Sequence, residues 1–159
     1  MSTELKTLTS ELLHCLREDI TAQRQTLEMI EAQRVAIQDE SIDGVEVTTA
    51  RMVEQMRGMQ ERDQERQQLL DSFSSEFDIP EPELTISNLA ESLGDDGAEL
   101  LTIRQELRDV SAEVIRTNRN LSALVGMRRR IVTDVIDSLL HPSGDGQSSD
   151  EGVLINAEA

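Results

Sequence analysis

Aromatic side chains are almost missing from this chain of 159 residues. It has no Trp and no Tyr, and its only aromatic rings are those of Phe73 and Phe77. Sandwiches and barrels are built from aromatic and β-branched strands, with a turn every ~8–12 residues. The composition therefore argues strongly against an all-β fold. It also argues against a small-molecule enzyme, because ligand pockets are lined largely by apolar and aromatic side chains.

Cysteine, proline and long apolar runs are scarce as well. The chain has one Cys, three Pro and eight Gly. A single cysteine cannot form an intrachain disulfide, so nothing indicates an oxidising compartment. The segment from Met1 to Leu5 lacks the basic and apolar parts of a signal peptide, and no apolar run approaches the ~18–20 residues of a membrane span. We therefore expect a cytoplasmic protein that does not insert into a membrane.

Positive charge is in short supply. The chain has 15 Lys and Arg against 32 Asp and Glu, for a formal net charge of −17. Nucleic acids and anionic membrane surfaces are bound by cationic surfaces, so neither is an expected partner. The stretch from Gln67 to Ile103 holds nine acidic residues and no base, whereas seven of the bases fall between Arg104 and Arg130.

The apolar residues that are present follow a helical period. They recur three or four positions apart over Ser2–Gln38 and again over Val47–Phe77, which predicts two long helices. Asp39–Gly44 is the predicted turn between them, with Asp43-Gly44 as its strongest signal. Pro80 and Pro82 end the second helix, because proline lacks an N–H and restricts the residue before it.

A short helix and a third long helix are predicted after these prolines. Thr85–Leu93 reads as a short amphipathic helix ending at Gly94, within the acidic crossover. Asp95–Leu140 is the most regular helix, and its apolar stripe alternates three- and four-residue steps through Leu100, Ile103, Leu107, Val110, Val114, Thr117, Leu121, Leu124, Arg128, Ile131 and Val135, followed by Leu139.

The predicted fold class is all-α, an elongated bundle of three long antiparallel, coiled-coil-like helices with a short acidic crossover helix. Residues 1–141 would form the bundle domain, and residues 142–159 a flexible acidic C-terminal tail without bases. Helices of ~35–45 residues span ~50–70 Å, so the expected molecule is a rod. The third helix is the longest of the three, and part of its stripe is therefore expected to lack a partner within the chain.

No motif for catalysis, a cofactor or a metal is found. His14 and Cys15 are adjacent and would point ~100° apart on a helix, which suits no shared ion. His141 stands beside Pro142, and the chain has no CxxC, HExxH or glycine-rich phosphate loop. Cys15 lies on the apolar stripe and is interpreted as a buried core thiol. No catalytic, cofactor-binding or metal-ligating residue is predicted.

Two clusters have alternative readings. Met52, Met56 and Met59 are interpreted as bundle core, and the alternative is an adaptable binding surface, since methionine is flexible and polarizable. Arg128, Arg129 and Arg130 are interpreted as an exposed helix face, and the alternative is a site that attracts nucleic acid or an acidic partner.

The layout of the third helix and tail resembles the FlgN-like flagellar export chaperones. In that family a long first helix precedes an acidic, Gln-rich second helix, and a third helix carries an N-x-x-N-x-x-L-L-like stretch before a short tail with a Y-x-x-x-G element. This chain has Asn118 and Asn120 followed by Leu121 and Leu124, with the two Asn one residue closer than in the family pattern. No Tyr precedes Gly152 in its tail.

The resemblance implies a function and its partners. FlgN-like chaperones bind the amphipathic terminal helices of hook–filament junction proteins before type III secretion, and they deliver them to the export apparatus. Hiding such a helix in an apolar groove requires no cofactor. Two alternatives stay open: a structural or regulatory coiled-coil adaptor acting through self-association, and an acidic mimic of nucleic acid that binds a DNA-binding protein.

We expect a client to bind the C-terminal part of the third helix. The predicted partner-binding residues are Asn118, Asn120, Leu121, Leu124, Ile131, Val135 and Leu139, with the tail from Ser143 as a mobile cover. An apolar surface of this kind marks an interaction site when it is contiguous. The alternative use of the same face is an antiparallel homodimer.

Overall fold

The computed structural model describes residues 3–80 and 84–140, and these are almost entirely helical. Three long helices are present, α1 (Thr3–Gln38), α2 (Ile42–Phe77) and α4 (Ala98–Leu140), with a short α3 (Ile86–Leu93) between the last two. No strand occurs within these two ranges. The predicted all-α class with three long helices is confirmed. His141, Pro142 and the tail lie outside the described residues, so the boundary at 141/142 stays a prediction.

The turn between α1 and α2 is shorter than predicted. Asp43 and Gly44 lie inside the first turn of α2, which begins at Ile42 and not at Val47. Ser41 is the N-cap, and its Oγ accepts the N–H of Gly44 at 3.1 Å. This bond satisfies one of the free N–H groups of the first turn, so the Ser41 cap outweighs the turn signal of Asp43-Gly44. Helices α1 and α2 are therefore equal in length, at 36 residues each.

A compact corner connects α2 to α4. Helix α2 ends at Asp78 in the left-handed conformation, and Thr85 caps α3 by accepting the N–H of Asn88 at 3.1 Å. Helix α3 ends at Gly94, as predicted, with a φ of 61° that favours glycine. A single 3₁₀ turn, Gly94–Gly97, then leads into α4. A Cβ on Gly97 would lie 2.1 Å from the Ala90 carbonyl oxygen, so the corner closes only because this residue has no side chain.

Pairs of contacting side chains give the helix directions. Between α1 and α2, Gln33 pairs with Thr49 and Asp19 with Arg62, so the residue numbers rise in one helix as they fall in the other. These two helices are antiparallel and closely packed. Between α1 and α4, Arg17 pairs with Glu99 and Arg24 with Glu106, both 82 positions apart. A constant separation means that α1 and this part of α4 run parallel.

The core lies where the N-terminal half of α1, the end of α2, α3 and the start of α4 meet. Phe73 is fully buried at its centre, and its ring stacks on that of Phe77 with 6.3 Å between the centroids. Aromatic pairs at this spacing contribute beyond simple burial. The buried residues of this core are Leu5, Leu12, Leu13, Leu16, Ile20, Phe73, Leu84, Leu89, Ala90, Leu100, Ile103 and Val110.

The middle of α2 is less buried than a core helix would be. The only buried residues of α2 are Thr48, near its start, and Phe73, near its end. Met52 and Met59 are half-buried, and Met56 is 62% exposed. The prediction that the three methionines form bundle core is thus wrong for Met56. A physical reason is that the half-buried side of α2 passes here through Gln55, whose Nε2 donates to the Ala22 carbonyl oxygen at 2.9 Å, and Met56 lies next to that side.

Candidate functional site

The apolar stripe of α4 changes its environment along the helix. Leu100, Ile103, Val110 and Leu121 are buried, whereas Leu107, Val114 and Leu124 are half-buried. The ion pairs that fix the register place Gln38, the last residue of α1, level with position 120 of α4. The last buried residue of α4, Leu121, lies close to that level.

The chain divides into two compact units, Met1–Leu124 and Val125–Ala159, and the second is described by its helical part alone. Every residue from Ile131 to Leu140 is exposed, with Leu139 at 74% and Leu140 at 69%. Soluble proteins rarely leave contiguous apolar side chains uncovered without a partner.

These apolar side chains occupy one side of the helix. One row steps by four residues from Ile131 to Leu139, and a second steps by four from Val132 to Leu140. The two rows lie next to each other and form a broad apolar surface. Thr133, Asp134 and Asp137 follow the polar side, because successive residues are ~100° apart around the axis. We call the apolar surface the α4 apolar face. It consists of Val125, Ile131, Val132, Val135, Ile136, Leu139 and Leu140.

The face carries a shallow depression. Ile131, Val135 and Leu139 line it together with Asp134 and Ser138, and its volume is about 340 Å³. It lacks enclosing walls because a single helix provides all of its lining. A depression of this kind suits the side chains of a second helix laid along the face, and it does not suit an enclosed small molecule.

The predicted site residues fall into different environments. Ile131, Val135 and Leu139 are exposed and share the α4 apolar face. Asn118 and Asn120 are exposed, but at two residues apart they point ~200° apart and cannot share one contact. Leu124 is half-buried, and Leu121 is buried at 6% exposure. A partner could touch Leu121 only after the side chains around it had moved.

A buried carboxylate between α1 and α2 was not found by sequence reasoning. Asp19 is 8% exposed, and its Oδ1 accepts the Nε–H of Arg62 at 3.2 Å while Oδ2 accepts from Arg66. Arg66 also bonds Asp63. The available signal was Arg66 itself, a charged residue on the apolar stripe of α2, which indicates a buried acid on a neighbouring helix.

The Asp19 cluster has the chemistry of a structural ion pair. Both oxygens of its carboxylate accept hydrogen bonds from guanidinium groups, which is the arrangement of a buried ion pair between helices. Asp19 and Arg66 border an open cleft of about 400 Å³ in the first unit, which Met59 and Leu107 also line. No aromatic side chain lines the cleft.

The single thiol is also buried. Cys15 is 5% exposed, as predicted for a core thiol. Burial raises the pKa of the Cys15 thiol, and the negative charge of Asp19 raises it further. Within residues 3–80 and 84–140, no three His, Cys, Asp or Glu side chains lie close enough together to hold a metal ion.

None of the described helices combines the length and the apolar character that a membrane span requires. No curated protein and no solved structure gives a significant match to the chain. The family model described as "FlgN protein" matches residues 1–148, which includes all of the described helices. The chain therefore belongs to the FlgN family, a family of flagellar export chaperones.

Proposed function

We propose that this protein is a cytoplasmic export chaperone for hook–filament junction proteins and that it binds their amphipathic terminal helices before type III secretion. Family membership supports the general role of a chaperone for flagellar export substrates. The observation that carries the specific proposal is the α4 apolar face, whose seven large side chains are each 45% or more exposed. An amphipathic helix laid along such a face is a recurring mode of peptide recognition.

The chemistry of the face fits this kind of client. Its side chains are aliphatic, and flanking Asp134 and Ser138 provide a polar edge. Burying apolar surface yields ~25 cal/mol per Å², which is enough for micromolar binding or better after ordering costs. Junction-protein helices that coil with their own kind after assembly would be held apart in this way until export.

The contact is proposed to centre on Ile131, Val135 and Leu139. Leu124, Asn118 and Asn120 would extend it along α4, and Leu121 would join only if the end of the first unit loosens on binding. The export apparatus is the second proposed partner, and it would receive the loaded chaperone. No enzymatic step and no cofactor are needed for either contact.

The test is a matched pair of variants that change the net charge by the same amount. Ile131→Glu with Val135→Glu places two carboxylates in the α4 apolar face, and Arg130→Glu makes an equal charge change on the polar side of the same helix. Titration of each variant against the terminal helix of a hook–filament junction protein, followed by calorimetry, measures the affinity. We expect the double variant to lose binding and Arg130→Glu to keep it within a few-fold.

Two further measurements separate the alternatives. Truncation after Leu124 should abolish binding while most helicity by circular dichroism is retained. Sedimentation of the free chain tests for the coiled-coil adaptor. A tight oligomer that dissociates in the Ile131→Glu, Val135→Glu variant and shows no client dependence would replace the chaperone proposal. Unchanged client affinity in that variant would place the site elsewhere.

A further inference from the structure

We propose that residues 150–155 of this chain fold back onto the α4 apolar face and compete there with any incoming helix. The docking itself stands on the chemistry of residues 125–159 alone. The competition with a client rests on the proposed function.

The first support is the pattern of the segment. In the stretch from His141 to Ala159, Val153, Leu154 and Ile155 are the only large aliphatic residues. They follow residue 148, where the match to the family model ends. The α4 apolar face, in turn, is the exposed aliphatic surface of the same unit. Burying one against the other removes both from water within a single chain.

Charge complementarity points to the same contact. Between Val125 and Leu140 there are three Arg and two Asp, so this segment is positive in a chain of net charge −17. Acids flank the aliphatic triplet on both sides, with Asp150 and Glu151 before it and Glu158 after it. Arg129 is exposed and lies three and seven residues before Val132 and Ile136, at the edge of the face. One flanking acid would reach Arg129 in either direction of docking.

The reach of the connection permits the contact. Residues 141–152 separate the end of α4 from the triplet and include three Gly and three Ser. For a chain of twelve residues with this Gly and Ser content, the expected root-mean-square span is about 20 Å. The face from Ile131 to Leu140 is about 14 Å long at 1.5 Å per residue. Tethering through so short a connection gives an effective concentration of about 1 mM, so a contact with a dissociation constant well below that value is well populated.

Paramagnetic broadening measures the docking directly. A nitroxide is attached to Ser149→Cys in a Cys15→Ser background, and the amide signals of residues 131–140 are recorded in full-length protein. We expect strong broadening of these signals and little in residues 5–20. Leu154→Asp with Ile155→Asp should abolish it, and the matched pair Asn156→Asp with Ala157→Asp should not. Absence of broadening in the parent chain overturns the proposal.

Two further experiments, one with charge variants and one with mixed chains, exclude other occupants of the α4 apolar face. Arg129→Glu should weaken the broadening, whereas Arg130→Glu, with the same charge change on the polar side, should not. A mixture of isotope-labelled chain without nitroxide and unlabelled chain with nitroxide should show no broadening. Broadening in that mixture would mean that a second copy occupies the face, which overturns the proposal.

The competition is tested by removing the segment. If the face is covered about nine-tenths of the time, truncation after Ser148 raises the apparent affinity for a junction-protein terminal helix ~10-fold. Equal affinities for the two chains would overturn the competition. A chain that shows the broadening but binds no such helix in either form would instead overturn the proposed function and leave the docking intact.

Discussion

At the scale of single residues, the Asp19 carboxylate is the most constrained polar group described in the first unit. The side chains of Arg62 and Arg66 that hold it are 20% and 28% exposed, and one nitrogen of Arg62, Nη2, is buried without a hydrogen-bond partner. Removal of the Asp19 carboxylate would leave Arg62 partly buried without an acidic partner and Arg66 with the exposed Asp63 alone, so the loss of the acid is costly for the folded state.

The Asp19→Ala variant should therefore be clearly destabilised. We expect a loss of ~1–3 kcal/mol in the free energy of unfolding, measured by urea denaturation. Asp63→Ala is the matched control, because Asp63 also bonds Arg66 but its side chain is 71% exposed. That change should cost ~0.5 kcal/mol or less. Similar losses of unfolding free energy in the two variants would show that the buried ion pairs of Asp19 are worth no more than the exposed pair of Asp63.

Cys15 should react slowly with thiol reagents at pH 7 to 8. Burial and the nearby charge of Asp19 raise its pKa, so the reactive thiolate is scarcer than in a free thiol, and the side chain is hard to reach. A Cys15→Ser, Ser122→Cys chain places the single thiol on an exposed position as control. Iodoacetamide labelling followed by mass spectrometry compares them, and equal rates would contradict a buried thiol.

The sequence predicts the burial of a residue where helical periodicity determines it, and it does not predict ion pairs between residues far apart in the chain. Cys15 was correctly placed because the apolar stripe of α1 determines its side of the helix. The Asp19 pairs were missed because the partners lie 43 and 47 positions away, and only the packed hairpin brings them together. Likewise, the apolar pattern predicts Met56 in the core, whereas the side of α2 that faces α1 passes through the polar Gln55.

At the scale of elements, the corner between α3 and α4 depends on Gly97. A Cβ there would lie 2.1 Å from the Ala90 carbonyl oxygen and 2.6 Å from its Cα, which is backbone that cannot turn aside. Gly97→Ala is expected to cost ~1–3 kcal/mol in unfolding free energy by forcing the corner open. Urea denaturation measures the loss.

Gly126→Ala is the contrasting change, at a glycine inside α4. Apart from its chain neighbours and the backbone of its own helix, nothing described lies within 4 Å of a Cβ built at Gly126. Alanine favours a helix interior over glycine by ~0.5–1 kcal/mol, so helix content should be kept or raised. Circular dichroism of both variants tests the pair. A Gly97→Ala chain as stable as the parent would show that the corner tolerates a side chain.

The sequence predicts most helix ends well and the start of α2 poorly. The prolines and Gly94 mark the end of α2 and of α3, because each restricts the backbone by itself. At the α1–α2 turn two local signals compete, and the Ser41 cap wins once α1 and α2 pack together. The antiparallel coiled-coil character of the whole bundle stays a prediction, as does its rod shape.

For the molecule as a whole, stability should be unevenly distributed along α4. Residues from Ile131 to Leu140 are all exposed, whereas Leu100, Ile103 and Val110 belong to the core. An isolated helical stretch without packing is marginal in water, so it should open more often than the packed part.

Hydrogen exchange checks this expectation. In a chain ending at Ser148, amides of residues 131–140 should exchange much faster than those of residues 100–110. Addition of a junction-protein terminal helix should slow the first set and leave the second nearly unchanged. Equal protection of both sets in the free chain would mean that the exposed stretch is stabilised by contacts beyond those described.

The register between α1 and α4 has a consequence for the order of folding. The α1–α2 pairs join residues 16 to 47 positions apart, whereas the α1–α4 ion pairs join residues 82 positions apart. Closing the longer loop costs more chain entropy, and contacts of large sequence separation form more slowly. The α1–α2 hairpin should thus assemble first and serve as the template on which α4 settles. During synthesis, the helix that carries the proposed client face emerges from the ribosome after both helices of this hairpin.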